Sequence, residues 1–146
     1  MDIGYMQAYD IDWFAKCDSY YLHFASNGSE LPLNLEKEDI SYMQIQAAQI
    51  IEEGEPRINE QYLHRLLEAG RLEATTPDRY LASFKIFASK GFYSFDFDHT
   101  EGRYVLVAAP SEGIQNRKLS EIHFPILEGY MEWERGCINQ IREFNR

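Results

Sequence analysis

Between Asp10 and Phe24 the apolar and polar positions alternate with a period of two. Ile11, Trp13 and Ala15 fall on one face of a strand, and Asp12, Phe14 and Lys16 fall on the other. Cys17-Asp18-Ser19 reads as a turn. Tyr20, Leu22 and Phe24 then alternate against Tyr21 and His23, which predicts a β-hairpin. The period changes to helical at 37–53. Ile40, Met43, Ala47, Ile50 and Ile51 share one stripe there, and Gly54 supplies a stop. A second helix is predicted at 59–69, with Asn59 as N-cap, Tyr62, Leu63, Leu66 and Leu67 as its stripe, and Gly70 closing it. A third starts with Thr76 as cap and Pro77 at the first helical position. Its stripe is Tyr80, Leu81, Phe84, Phe87 and Ala88, Lys90 suits its C-terminal dipole, and Gly91 ends it.

The period of two returns at Phe92–Phe97. Asp98 to Gly102 form a turn, and Arg103 to Ala109 form a second strand. The run Tyr104-Val105-Leu106-Val107-Ala108-Ala109 is apolar on both faces, as in a strand covered on both sides. A last helix is predicted at 119–134, weakened by Pro125 and Gly129. Residues 138–146 fit either a helix or a short strand. Strands segregated into two hairpins, with helices between and after them, predict one α+β domain over 1–146. The expected architecture is an antiparallel sheet of about four strands packed against three or four helices.

Two stretches carry a resemblance. One is Asp10-Ile11-Asp12-Trp13-Phe14 followed by His23-Phe24-Ala25-Ser26-Asn27-Gly28. The other is Lys90-Gly91-Phe92-Tyr93-Ser94-Phe95-Asp96 followed by Tyr104-Val105-Leu106-Val107-Ala108-Ala109-Pro110. The layout resembles a group of small uncharacterised bacterial proteins with an Asp-Trp-Phe strand, a His-Phe-x-Ser-x-Gly loop and a Lys-Gly-aromatic strand. No activity is attached to that group, so the resemblance implies no catalytic residue.

Charge sharpens the picture. The net charge of the 146 residues is −10. Residues 1–60 hold twelve carboxylates against three cations, or −9, which leaves −1 for the remainder. Such a field repels nucleic acid and anionic membrane and attracts basic partners over a Debye length of about 10 Å. No apolar run reaches the ~20 residues of a membrane span. The N-terminus lacks the basic and apolar regions of a secretory signal. Cys17 and Cys137 share no metal-ligand spacing, and a cytoplasmic protein with two reduced thiols is expected. A disulfide between the ends of the chain is the alternative.

Asp96, Asp98 and His99 are the candidate metal or acid–base cluster, because alternate strand positions face one way and a turn histidine can reach round. Against this, Asp98 opens a hairpin loop, where Asp is favoured by local hydrogen bonding, and Asp96 falls on the polar side of its strand. Asp10, Asp12 and His23 form a second cluster. It suits general acid–base work if burial shifts a pKa, or a hydrogen bond that anchors the hairpin. Cys17 beside His23 is no nucleophile candidate, since Asp18 would raise the thiol pKa. Ser26-Asn27-Gly28-Ser29 has the small residues of a phosphate-cradling loop but lacks the Gly-Lys-Ser/Thr ending, and a tight turn is the simpler reading. Trp13, Phe14, Tyr20, Tyr21 and Phe24 suit an aromatic platform for bases only if basic residues surround them. Lys16 alone does, so core packing is expected, as it is for Trp133.

These readings predict a non-catalytic, acidic protein-interaction module. Its concrete form is an immunity-type neutraliser of a basic protein partner, with Glu36, Glu38, Asp39, Glu52, Glu53 and Glu55 as the partner-binding residues. The same carboxylates also fit merely solvated helix ends. No cofactor is expected. The alternatives are a small metal-dependent hydrolase built on Asp96, Asp98 and His99, and a small-ligand-binding protein with a pocket between sheet and helices.

Overall fold

The computed structural model describes residues 10–31, 35–72, 77–112, 117–126 and 132–146, the side chains of 132–134 excepted. The first hairpin forms as its alternation requires. Strand β1 (Asp12–Cys17) pairs antiparallel with β2 (Tyr20–Ala25), from Asp12 opposite Ala25 to Cys17 opposite Tyr20. The turn is Asp18-Ser19, with Asp18 at φ 53°. A short polar side chain tolerates that left-handed conformation. Helix α1 (Lys37–Ala48) buries Ile40, Met43 and Ala47. It ends five residues short of position 53, its predicted last residue, so Ile51 falls off the buried stripe and is 76% exposed.

Strand β3 (Arg57–Ile58) is too short to show a period, and the sequence reading missed it. Helix α2 (Glu60–Glu68) starts as predicted, with the Asn59 side chain accepting from the Tyr62 amide. Helix α3 (Pro77–Ser89) buries Leu81, Phe84 and Ala88. Its predicted cap Thr76 lies outside the described residues, as does Pro32, and the Trp133 side chain is likewise not described. The second hairpin joins β4 (Tyr93–Asp98) to β5 (Arg103–Ala109).

The helix predicted at 119–134 is not formed as one piece. Helix α4 (Arg117–Glu121) is short, and Pro125 and Ile126 run along the outer edge of β1 instead. There the Pro125 carbonyl accepts from the Lys16 amide at 2.9 Å. The ambiguous C-terminus is helix α5 (Glu132–Phe144).

The fold is α+β, with five strands and five helices among the described residues, but the sheet is mixed. Its order is β1-β2-β4-β5-β3, and β2 pairs parallel with β4. Short turns dictate antiparallel pairing within each hairpin. The two hairpins are joined through α1–α3, and a long helical crossover is what a parallel pair needs. An antiparallel sheet of about four strands is therefore corrected at this one junction and at the added β3.

The outer edge of β1 is covered at Lys16, and β5 is covered beyond the short β3. On the β5 side the Gln140 side chain acts as a surrogate strand. Its amide Nε2 donates to the Tyr104 carbonyl and its Oε1 accepts from the Leu106 amide, each at 2.9 Å. Asn59 Nδ2 donates to the Leu106 carbonyl. The Tyr104 carbonyl and both backbone groups of Leu106 are thus unavailable to another strand. Trp13, Phe14 and Phe24 are wholly buried. Trp13 stacks on Phe24 at 4.1 Å, and its indole N–H donates to the Tyr104 hydroxyl. These rings are core, as expected, and no platform for bases. Cys17 and Cys137 are buried and not disulfide-bonded.

Lys90 corrects an expectation. Its ammonium does not cap its own helix. It reaches the end of α1 and donates to the Ala47 carbonyl at 2.9 Å and to that of Ala48 at 3.5 Å. Burial pulls its pKa below the usual lysine value, and the charge of Glu52 opposes this in part. Helix α1 has no basic residue in its own last turn, so Lys90 supplies the missing charge at the negative end of the dipole. Lys90→Met is expected to cost about 1–2 kcal/mol, read by urea denaturation. A loss within error of zero would remove Lys90 as the cap of α1.

Candidate functional site

The parallel register sets His23 opposite Ser94 on the sheet face covered by α3. His23 Nδ1 lies 2.5 Å from Ser94 Oγ, and Nε2 lies 2.7 Å from Asp12 Oδ1. A carboxylate only accepts, so Nε2 carries the proton and Nδ1 accepts from the serine hydroxyl. The result is a directed chain, Ser94 to His23 to Asp12, with a neutral imidazole. Burial lowers the His23 pKa against the opposing pull of Asp12 and Asp10. Phe87 stacks on the ring at 4.0 Å.

A Ser-His-Asp set invites a nucleophilic reading, but access forbids it. Ser94 and His23 are wholly buried, and only Asp12 reaches solvent, its side chain 46% exposed. A serine nucleophile needs an open approach to its Oγ. The chain is a support for Asp12. Sequence reasoning paired Asp12 with His23 across the hairpin and missed Ser94, because that contact depends on the parallel register.

Asp12 opens onto a cleft of about 440 Å³ between the start of β1, helix α1 and the end of α3. Asp10, Asp12, Phe14, Gln44, Phe87 and Lys90 line it. Asp10 Oδ1 accepts from the Asn27 amide at 2.8 Å. The Ser26–Ser29 segment is a closed turn. Ser26 Oγ accepts from the Ile11 amide, and the Ser29 amide and hydroxyl both donate to the Ser26 carbonyl. Asn27 and Gly28 adopt φ 49° and 78°. A phosphate approaching the Asn27 amide would meet the Asp10 carboxylate already bound there.

Asp96, Asp98 and His99 are not brought together. Asp98 is buried and engaged on both oxygens. Oδ1 accepts from the Thr100 and Glu101 amides, and Oδ2 accepts from the Tyr62 hydroxyl at 2.6 Å and from Arg71 at 2.9 Å. Burial alone would raise its pKa, but the bonds from Arg71, Tyr62 and the backbone outweigh it and hold the carboxyl well below the usual range. Asp96 accepts from the Tyr80 hydroxyl at 2.7 Å. It is half-buried rather than on an open wet face, because Tyr80 of α3 reaches over it. Burial, with the charges of Asp10 and Asp98, pushes its pKa up to about 6 despite the Tyr80 bond. The exposed His99 donates from Nε2 to the Asn27 carbonyl. Among the described residues no group of three or more His, Cys, Asp or Glu is arranged to hold a metal ion.

The six predicted partner-binding carboxylates divide into two groups. Glu36, Glu38 and Asp39 stand at the start of α1, and Glu52, Glu53 and Glu55 follow its end. All six residues are exposed. The groups stand at the two ends of α1, whose twelve residues span about 18 Å. Among the described residues none of the six forms a salt bridge, whereas Asp18 is paired with Arg142. Between the groups runs an outward stripe of Glu38, Tyr42, Ile45 and Gln49, at spacings that share one helix face. Tyr42 is 45% exposed and Ile45 58%. The sequence reading followed only the buried stripe and overlooked this one.

No protein-family model, curated protein or solved structure matches the chain. Within the described residues no helix is long and apolar enough to cross a membrane.

Proposed function

We propose that this is a non-catalytic, cytoplasmic interaction protein that receives a basic protein partner on the outer face of α1. One observation carries the reading. Helix α1 has apolar side chains on both sides, Ile40, Met43 and Ala47 inward and Tyr42 and Ile45 outward, with exposed carboxylates at both ends, of which Glu52 also acts on Lys90. A helix that serves only to cover a core keeps its outer face polar. The partner is a positively charged surface with an apolar centre. The carboxylates raise its association rate, and Tyr42 and Ile45 supply contact area. An immunity-type neutraliser of a basic toxin is the concrete form. The two buried thiols without a disulfide suit a reducing compartment.

The test is affinity capture from the source cells on the immobilised protein at low and high salt, with two variants beside it. One is Tyr42→Ser with Ile45→Ser, and the other is Glu38→Gln with Asp39→Asn, Glu52→Gln and Glu53→Gln. A basic protein should be retained at low salt, released at high salt and lost with either variant. Retention indifferent to salt and to both variants would overturn the proposal.

A further inference from the structure

The cleft beside Asp12 is a second site, independent of the α1 face. Its volume of about 440 Å³ falls in the range of roughly 300–1,000 Å³ typical of small-ligand sites. Its polar groups are unbalanced. Asp12 and Asp10 each give one oxygen to a neutral donor, His23 Nε2 and the Asn27 amide, so neither bond cancels their charge. One N–H of the Gln44 side-chain amide donates to the Asp12 carbonyl at 2.8 Å. The Lys90 ammonium is directed at the carbonyl end of α1. The lining thus sets two carboxylates against one ammonium that is held to the end of α1, and a ligand that brings donors meets the excess of acceptors. Phe14 and Phe87 supply apolar wall.

We infer that this cleft binds one organic cation, an alkylammonium or guanidinium group with a short apolar tail, held by the Asp12 carboxylate that His23 and Ser94 fix in place. The cationic head meets Asp12 and Asp10, and the tail lies toward Phe87. An anion would face two carboxylates at close range. A neutral ligand would leave both charges uncompensated. A rigid backing improves the acceptor, because His23 and Ser94 are wholly buried and cannot swing Asp12 away. The cation has two possible sources, a free small molecule or the side chain of a protein-borne arginine.

The test titrates the isotope-labelled protein with butylguanidinium, butylammonium, the neutral butylurea and the anionic butyrate, following amide shifts by NMR. Both cations should bind at least tenfold more tightly than butylurea and shift residues 10–12, Gln44 and Phe87. Asp12→Asn keeps an acceptor for His23 and should weaken the cations at least tenfold while leaving the melting temperature in place. Should Asp12→Asn lower that temperature, Asp10→Asn provides the same comparison with the His23 bond intact. Acetyl-arginine amide against butylguanidinium separates the sources, the tighter of the two naming the protein-borne or the free cation. Equal binding of butylurea or butyrate, or cation affinity unmoved by both variants, would overturn the inference.

Discussion

Asp98→Ala is expected to destabilise the protein by about 3–5 kcal/mol, the range for stripping one partner from a buried charge pair. That is a large share of the roughly 5–15 kcal/mol that holds a domain of this kind together. The carboxylate is fully buried, and four donors converge on it: Tyr62, Arg71 and the amides of Thr100 and Glu101. Alanine leaves the buried Tyr62 hydroxyl without its acceptor, frees the Arg71 charge and unties the β4–β5 turn. Asp98→Asn keeps one oxygen for the turn amides but presents an NH₂ to Tyr62 or Arg71, so an intermediate loss is expected. The same carboxyl sets acid sensitivity. Its pKa is depressed in the folded state, so its stabilisation is complete above the unfolded value of about 3.9 and is lost as the pH falls below it. Urea denaturation of both variants at neutral pH checks the ordering. A loss below about 1 kcal/mol for the alanine variant would mean that the four bonds are not formed in solution.

Asp96→Asn is expected to act in the opposite direction. With its folded pKa near 6, native Asp96 holds a proton that the unfolded chain releases above pH 4. The native state is therefore favoured below that range, and its advantage declines as the pH rises through 6. Asparagine still accepts from Tyr80 but carries no charge to bury. The variant should match the wild type near pH 4 and exceed it by up to about 3 kcal/mol at pH 7.5. His23 gives a slope of the other sign. Its folded pKa lies below 6.5, so its burial costs stability as the pH falls below that value. The two effects overlap in the wild-type curve. The difference between Asp96→Asn and wild type isolates Asp96, and a flat difference across pH 4–8 would contradict a buried carboxyl at this position.

Local chemistry made most of the elements legible. Alternation at 11–24 and 92–109 placed both hairpins, Asn59 and Pro77 opened their helices, and the doubly apolar run at 104–109 marked a strand covered on both faces. The joins between elements were not legible. Nothing in a hairpin's own period states whether it meets the next hairpin in parallel or antiparallel sense, and that pairing alone brings Ser94 to His23. Pro125 was a correct warning that the 119–134 helix would break, but the use of residues 125–126 as a cover for β1 depends on a distant edge. The metal reading of Asp96, Asp98 and His99 did not anticipate Tyr62 and Tyr80, which arrive from α2 and α3, or Arg71, which follows α2, and these donors occupy the carboxylates. The acidic run was visible as charge. Its relation to Tyr42 and Ile45 was not, because one buried stripe had already accounted for α1.

The most direct test of the account is to map the captured basic partner onto the labelled protein by NMR at two ionic strengths. The proposed role predicts perturbations centred on Glu38, Tyr42, Ile45 and Gln49, extending to residues 51–55, with affinity falling steeply as salt is added. Perturbations confined to the opposite side of the sheet, or affinity unchanged by salt, would contradict it.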